Sequence, residues 1–393
     1  MPQSTSKAIA NIRGLIPAVD DLAYFQTSGL ALKLQPALHA AQHWTQFQAR
    51  GPARPDVIQT IRREVDAVRD KVARALGAEP DEIALAENAT VGINVVANGI
   101  DWQPGDHVIL THDEHPGNRI PWYNVAHRFG VELRYLDLDG HDDDALCRQL
   151  AQQLTDQTRL VAISHVSRRT GRRLPVQALI EIAHQRNIPI MLDGAQAFGA
   201  IPLDVHALDC DFYVFSGHKY IMAPQGTGGF YVRRDRIDWL KPSWIGSHSQ
   251  ASMDDHGHMT LHAAAKRFEF GTRNLADQIA FGVALDTWES VGWSSVHATI
   301  AHYTDQLKAA LRTVPNLRLH TPLPYDQSSG IVTVEVPGQD ATALAQHLLD
   351  DHHVLVSPVP GGEGRLRIST HIFNTEDEAQ RLIAALHELA KDA

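Results

Sequence analysis

Cysteine is scarce in this sequence: of 393 residues only two, Cys147 and Cys210, are cysteines, and they lie far apart in the chain. Two distant cysteines cannot form the disulfide framework that stabilises small secreted domains. They suit a reducing compartment, and we predict a cytoplasmic protein. The chain also lacks any apolar run of about 18 residues, so we predict no membrane-spanning helix. Residues 1–17 contain no long apolar segment, and we predict no signal peptide.

Positive charge is in deficit as well. The chain has 35 lysines and arginines against 46 aspartates and glutamates, a formal net charge of −11. A surface of this sign repels phosphate backbones and anionic lipids, so we predict neither a nucleic acid nor a membrane as partner. Metal-binding signatures are missing too. The histidine-rich stretches "HDEH" and "HSQASMDDHGHMTLH" have neither H-E-x-x-H nor paired-cysteine spacing, and we predict no metal.

Short apolar runs alternate with amphipathic helical patterns along most of the chain. One such helix ends at Gly77, and another has Pro175 at its first position. Nearly continuous apolar strands separated by helices are typical of a mostly parallel sheet covered on both faces. The predicted strands are 82–86, 107–111, 133–138, 159–166, 188–193, 211–216 and 228–233.

The pattern changes near residue 290. A helix is followed by the strand patterns "GIVTVEV" and "GRLRIS", with further helices after each. This order is typical of a smaller α+β domain. We predict a large domain over residues 20–285 and a small domain made of residues 1–19 and 286–393.

Polar residues follow the strands of the large domain directly. The sequences "ENATVGIN", "HDEHPGN", "SRRTGRR", "DGAQAFG" and "SGHKY" each begin where an apolar run ends. In open parallel sheets ligands bind at the carboxyl ends of the strands, so these side chains are expected to meet at one edge. Each also has a simpler interpretation: Asp193 as a helix N-cap, Lys219 as a surface lysine, and His115 as packing in a turn.

The motifs "DGAQ" at 193–196 and "SGHK" at 216–219 together resemble the class V aminotransferase family, whose members are pyridoxal-phosphate enzymes of fold type I. The resemblance extends from about Tyr24 to the C-terminus. It implies a mostly parallel seven-stranded sheet domain with a smaller α+β C-terminal domain. The family includes cysteine desulfurases, selenocysteine lyases, C–S lyases and isopenicillin-epimerase-like proteins.

The resemblance implies roles for the polar residues at the strand ends. Lys219 would form the Schiff base with the pyridoxal phosphate aldehyde and act as the proton-transfer group. Asp193 would pair with the pyridine nitrogen, and His115 would stack on the ring. These three are the predicted catalytic residues. Further cofactor contacts are implied for Gln196 at the phenolic oxygen, and for Ala89, Thr90, Ser216 and His218 at the phosphate.

The segment "FEFGTRN" resembles the family's loop that reaches the cofactor phosphate of the neighbouring subunit. The resemblance therefore implies a homodimer with composite active sites, in which Thr272 contacts the partner's cofactor. Arg367 matches the family's arginine for the substrate α-carboxylate, with Arg365 as a nearby competitor. Arg168 is a departure, because desulfurases usually carry an asparagine at this position. We expect it to bind substrate if it faces the pocket.

Desulfurases keep a nucleophilic cysteine on a loop just before the segment that matches residues 365–376. Here the stretch "VLVSPVPGGEGRLRIS" contains no cysteine. The resemblance then implies a pyridoxal-phosphate enzyme acting on an L-amino acid, with β-elimination or C–S cleavage of a cysteine-like substrate as the leading reaction and no persulfide cysteine. The alternatives are transamination or epimerisation, and, more remotely, a catalytically silent binding protein of the same fold.

Overall fold

A seven-stranded sheet forms the centre of the large domain. The computed structural model describes residues 11–16, 18–19, 21–359 and 364–390. The strands lie in the order β2-β8-β7-β6-β5-β3-β4. β8 runs antiparallel to both of its neighbours, and every other adjacent pair is parallel. The bounds are β2 Ile83–Ala86, β3 His107–Thr111, β4 Glu132–Leu136, β5 Thr158–Ser164, β6 Ile190–Asp193, β7 Phe212–Ser216 and β8 Gly228–Val232. The predicted mostly parallel sheet is confirmed.

Helices cover both faces of this sheet, which explains why its inner strands are largely apolar, whereas the edge strand β4 carries Glu132 and Arg134 and is only partly buried. Along β3, Val108 and Leu110 belong to one hydrophobic cluster, and Ile109 belongs to the cluster on the opposite face. Successive side chains of a strand alternate between faces, so a strand buried on both sides cannot alternate in polarity. The helices are α1 Gln35–Ala49, α2 Pro55–Leu76, α3 Ala89–Gly99, α4 Ile120–Phe129, α5 Asp143–Gln153, α6 Val176–His184, α7 Val205–Leu208 and α8 Leu275–Val291.

Two of the predicted helix ends can be compared with the structure. Gly77 caps α2 in the left-handed conformation with φ of +68°, as predicted. Pro175 stands at the N-cap of α6 rather than at its first helical position, so the prediction was wrong by one residue. Proline lacks a backbone N–H, and both positions tolerate that loss because neither N–H has an intrahelical partner.

The small domain is built on a four-stranded antiparallel sheet in the order β11-β12-β15-β14. Its elements are α9 Trp293–Leu311, β11 Arg318–Leu319, β12 Ile331–Glu335, α10 Ala341–His352, β13 Val354–Leu355, β14 Ser357–Pro358, β15 Arg365–Ser369 and α11 Glu376–Leu389. The short strand β1, Ala23–Tyr24, pairs with β13. A separate hairpin, β9 Gln250–Met253 and β10 Met259–Leu261, belongs to neither sheet.

The predicted domain boundaries stay a prediction. Residues 1–10, 17 and 20, on which the N-terminal boundary depends, lie outside the described residues. At the other boundary α8 continues through residue 285 to Val291 without a break. Among the described helices, none is both long enough and apolar enough to cross a membrane.

Candidate active site

Lys219 lies in the turn that follows β7, at the carboxyl edge of the sheet. The turn is close-packed: a Cβ at Gly217 would stand 2.4 Å from Thr227 Oγ1, so only glycine fits there. The Lys219 side chain is buried, with 9% of the residue exposed. Burial lowers its pKa to about 8, and the negative charge of Asp193 only partly opposes this effect. Lys219 is therefore not a surface lysine, and a substantial fraction of its amine is unprotonated near neutral pH.

Asp193 is the last residue of β6, next to β7 in the sheet. Its Oδ1 accepts a hydrogen bond from the Ala195 amide at 2.9 Å, so it closes a turn instead of capping a long helix. Burial raises the pKa of this carboxyl, and the positive charge of Lys219 opposes the rise. The carboxylate and the amine thus lie close enough to influence each other across adjacent strand ends.

His115 and Thr90 meet where the loop after β3 contacts the start of α3. The amide of Gly117 donates to His115 Nδ1 at 2.9 Å, which fixes the imidazole ring. A Cβ at Gly117 would lie 2.5 Å from Thr90 Oγ1, so the two segments approach closely only because this residue is glycine. Burial lowers the pKa of His115 to about 4, and the charge of Lys219 adds to the effect. The imidazole is therefore neutral at pH 7, although His115 as a residue remains exposed at the surface of the chain.

Ser216, at the end of β7, accepts a hydrogen bond from the Ala89 amide at 3.1 Å and so joins β7 to the N-terminus of α3. Two buried atoms nearby have no partner among the described residues, Nδ1 of His218 and Oε1 of Gln196. Gln196 Nε2 donates one of its two protons to the Ser28 carbonyl at 2.9 Å. Unpartnered buried polar atoms beside a helix N-terminus fit a polar, anionic ligand such as pyridoxal phosphate.

Arg367 and Arg168 contact each other, and both lie near enough to Lys219 for their charges to act on it. Arg367, on β15, is 7% exposed and donates from Nη1 to the Arg168 carbonyl at 3.2 Å. Burial lowers the pKa of Arg367 to about 10, and the neighbouring charge of Arg168 lowers it further. Arg365 does not join them. It lines a separate cleft of 660 Å³ together with Asp143, Arg172 and other residues.

Glu114 was missed in the sequence, although it directly precedes the predicted residue His115. Its carboxylate is fully buried and accepts four hydrogen bonds, from Thr111 Oγ1 at 2.7 Å, Asn118 Nδ2 at 2.7 Å, and the amide and hydroxyl of Ser164 at 2.9 and 2.6 Å. Burial raises its pKa to about 7. The carboxylate ties the end of β3 to the end of β5. The sequence signal that could have identified Glu114 is the asparagine four residues later, Asn118, which donates a hydrogen bond to it.

Thr272 is exposed and lines a groove that contains none of the other predicted site residues. The loop before it is anchored by a buried carboxylate that the sequence did not single out. Glu269 accepts hydrogen bonds from Arg69 Nη1, from Arg273 Nη2 at 2.6 Å and from the Leu85 amide at 2.9 Å. Because Leu85 belongs to β2, which leads into α3, this ion cluster joins the Thr272 loop to the strand before the N-terminus of α3.

Neither cysteine is near Lys219. Cys210 is completely buried at the start of β7, so the five residues of that strand, roughly 17 Å, separate it from the carboxyl edge. Cys147 is half-buried on α5, and burial raises the pKa of both thiols. Among the described residues, no three His, Cys, Asp or Glu side chains are arranged as metal ligands.

Comparisons with known proteins agree with this geometry. The family model for class V aminotransferases matches residues 23–382. A cysteine desulfurase of Cronobacter sakazakii is 33% identical over 340 residues, 82% of each chain. An isopenicillin N epimerase of Streptomyces clavuligerus is 33% identical over 368 residues, 89% of this chain and 91% of the relative. The chain belongs to the class V aminotransferase family.

Solved structures place the whole fold in the same class. A C-DES mutant with glycine linked to its pyridoxal phosphate is 26% identical with a TM-score of 0.90, covering 96% of this chain and 99% of that chain. A cysteine desulfurase of Thermococcus onnurineus is 27% identical with a TM-score of 0.88, covering 98% of each chain. The protein is a pyridoxal-phosphate-dependent enzyme of fold type I, a lyase or transferase similar to cysteine desulfurases and C–S lyases.

Proposed function

We propose that the protein is a C–S lyase that cleaves the Cβ–S bond of a cysteine-like L-amino acid without forming a persulfide on a protein cysteine. The observation that carries the proposal is the composition of the pocket around Lys219. It contains a desolvated amine, a buried carboxylate (Asp193) and a guanidinium for the α-carboxylate (Arg367), and no thiol.

The residues at the strand ends fit pyridoxal phosphate. When bound, the cofactor supplies an aldehyde that bonds to an amine and a ring that stabilises negative charge at the substrate Cα. Asp193 would hold a proton on the ring nitrogen, and neutral His115 would lie against the ring. The free Nδ1 of His218, the hydroxyl of Ser216 and the amides at the start of α3 suit the phosphate.

Lys219 would move the proton that starts the reaction. Its Nζ, once unprotonated, takes the proton from Cα, while Arg367 holds the α-carboxylate and orients that C–H bond. The Cβ–S bond then breaks, and its electron pair leaves with sulfur, which takes up a proton. Addition of one water gives a balanced set of products: one thiol, one pyruvate and one ammonium ion for each S-substituted cysteine consumed.

The absence of a positioned thiol separates this proposal from desulfuration. The stretch from Val356 to Ser369, which leads to Arg367, has no cysteine anywhere in its sequence. Cys210 lies at the far end of β7, and Cys147 lies on α5, outside the sheet. The substrate sulfur atom therefore has no cysteine on the protein to accept it, and it leaves as a thiol together with its substituent.

Epimerisation is the second candidate, favoured by the relative of that name at 33% identity. It needs the same Cα proton removal but returns the proton to the opposite face and breaks no bond at Cβ. We also propose a homodimer with composite sites, because Thr272 is exposed and lies away from Lys219 within its own chain.

Product analysis tests the proposal. The holoenzyme is incubated with a panel of S-substituted L-cysteines, and thiol, pyruvate and ammonium are measured together. We expect the three in equal amounts. Formation of alanine with sulfur retained on the protein would show desulfuration instead. Formation of the D-amino acid without any pyruvate would show epimerisation. A protein that stays colourless and binds no cofactor would be a catalytically silent binding protein.

A further inference from the structure

Arg168 lies in a tight loop that the fold holds in place. The loop follows β5 and is closed by hydrogen bonds from the Ser167 amide to the Arg172 carbonyl at 2.8 Å and from the Gly171 amide to the Ser167 carbonyl at 2.9 Å. A Cβ at Gly171 would stand 2.2 Å from the Ile331 carbonyl oxygen, so the loop packs directly on β12 of the small domain. The backbone of Arg168 therefore has a fixed position at the carboxyl edge of the sheet.

The charge of Arg168 is felt by the residues of the site, and one of its guanidinium nitrogens has no hydrogen-bond partner among the described residues. Its Nε is buried and makes no hydrogen bond with any described residue, and the same is true of Nε of the adjacent Arg367. The charge of Arg168 acts on Lys219, Asp193 and His115, so the guanidinium lies close to all three. The buried guanidinium of Arg367 and the half-buried guanidinium of Arg168 repel each other, and leaving them unpaired is costly.

The carboxylates near Arg168 are engaged elsewhere. Glu114 already accepts four hydrogen bonds. Asp113 accepts from Ser167 Oγ at 2.7 Å and pairs with Arg169 at 3.4 Å. Asp193 is assigned to the ring nitrogen. An amino acid brings one α-carboxylate, which Arg367 takes, so among the described residues no carboxylate is left to pair with Arg168 alone.

We propose that Arg168 binds a second anionic group of the substrate, a carboxylate on the substituent of its sulfur atom. The substrate class is then an S-substituted L-cysteine whose leaving thiol is itself an acid. This proposal rests on the proposed lyase function. The planar fork of a guanidinium binds a carboxylate through two N–H groups, a geometry that an asparagine or a lysine cannot reproduce.

A pair of ligands that differ only in charge tests this class. The ligands are 3-(carboxymethylthio)propanoate and its terminal amide, 3-(carbamoylmethylthio)propanoate; neither has an amino group, so neither reacts. Dissociation constants are measured by calorimetry with the holoenzyme. We expect the dicarboxylate to bind at least about tenfold more tightly. Arg168→Gln should abolish the difference, and Arg168→Lys should restore part of it.

Arg159→Gln is the matched control. Arg159 lies at the other end of the same strand, 43% exposed in its side chain, and pairs with Asp106 at 3.4 Å. This variant should keep the full preference for the dicarboxylate. Equal binding of the two ligands by the unmodified enzyme would overturn the proposal. So would an equal loss for both ligands in Arg168→Gln together with a shifted pH midpoint of the cofactor absorbance, which would assign Arg168 to the cofactor.

Turnover separates this proposal from the lyase function. With S-carboxymethyl-L-cysteine and S-carbamoylmethyl-L-cysteine as substrates, faster thiol and pyruvate release from the acid supports both ideas. If the dicarboxylate binds more tightly through Arg168 but no thiol is released, the anionic substrate class is supported and the lyase function is refuted. Equal rates of thiol and pyruvate release from both substrates would support the lyase function and refute the anionic substrate class.

Discussion

Replacing Glu269 with glutamine should destabilise the protein far more than any surface substitution of the same kind. The Glu269 carboxylate is 2% exposed and pairs with Arg69 and Arg273, whose side chains are 8% and 11% exposed. Glutamine keeps the size of the side chain and removes its charge. Two buried guanidinium groups would then face each other without a counterion, while the Leu85 amide keeps an acceptor.

The size of the effect follows from burial. Removing one partner of a buried ion pair costs about 3–5 kcal/mol. An unfolding entropy of about 2.1 cal/mol/K per residue gives roughly 0.8 kcal/mol/K for the whole chain, so the Tm should fall by about 4–6 °C. Differential scanning calorimetry of the holoenzyme measures this shift. Loosening the Thr272 loop should also speed cofactor loss on dilution, which fluorescence can follow.

Glu289→Gln provides the matched control. Glu289 forms an exposed pair with Arg74 at 3.1 Å, with side chains 50% and 55% exposed, and its loss should shift the Tm by about 1 °C or less. Equal shifts for the two variants would refute the assigned role of the buried cluster.

The contribution of Glu269 to stability should decrease as the pH falls. Burial alone would raise the pKa of Glu269, but the charges of Arg69 and Arg273 outweigh burial and lower it. A lowered pKa stabilises the fold above the unfolded value of about 4.3, and this contribution is lost as the pH falls through the folded pKa. The Tm difference between the unmodified protein and Glu269→Gln should therefore narrow below about pH 4.

Four further predictions address the site. Borohydride reduction followed by peptide mapping should label Lys219, and Lys219→Ala should lose the label and the yellow covalent form; label on another lysine would contradict the assignment. Replacing Cys147 and Cys210 together with serine should leave turnover largely intact in folded, yellow protein, whereas a large loss would implicate a thiol. Mixing inactive Lys219→Ala and Thr272→Ala protomers should restore roughly half of the activity in verified mixed dimers, and no rescue would count against composite sites. Arg367→Ala should lower kcat/KM at least about tenfold, measured by initial rates, because a charged hydrogen bond contributes about 1.5–3 kcal/mol.

The polar residues at the strand ends could be predicted from local pattern because each one follows directly on an apolar run. Asp193 and Lys219 lie at the ends of adjacent parallel strands, so chain order alone implies that they meet. Arg367 needed the family resemblance, since it comes from an antiparallel strand of the other domain. Glu114 and Glu269 escaped notice because each also binds a partner that is distant in sequence: Ser164 is 50 residues from Glu114, and Arg69 is 200 residues from Glu269.

The sequence by itself determined the class of fold and the edge of the sheet where chemistry occurs. Strand and helix periodicities are local, and the right-handed connection of parallel strands brings their carboxyl ends to one edge. Only the tertiary structure decided the burial and electrostatic environment of each group. The pKa of Lys219 near 8 depends on water excluded by many segments, and the carboxylates of Glu114 and Asp113 accept hydrogen bonds from residues other than Arg168. Desolvation and pairing depend on everything that surrounds a charge, which a stretch of neighbouring residues does not specify.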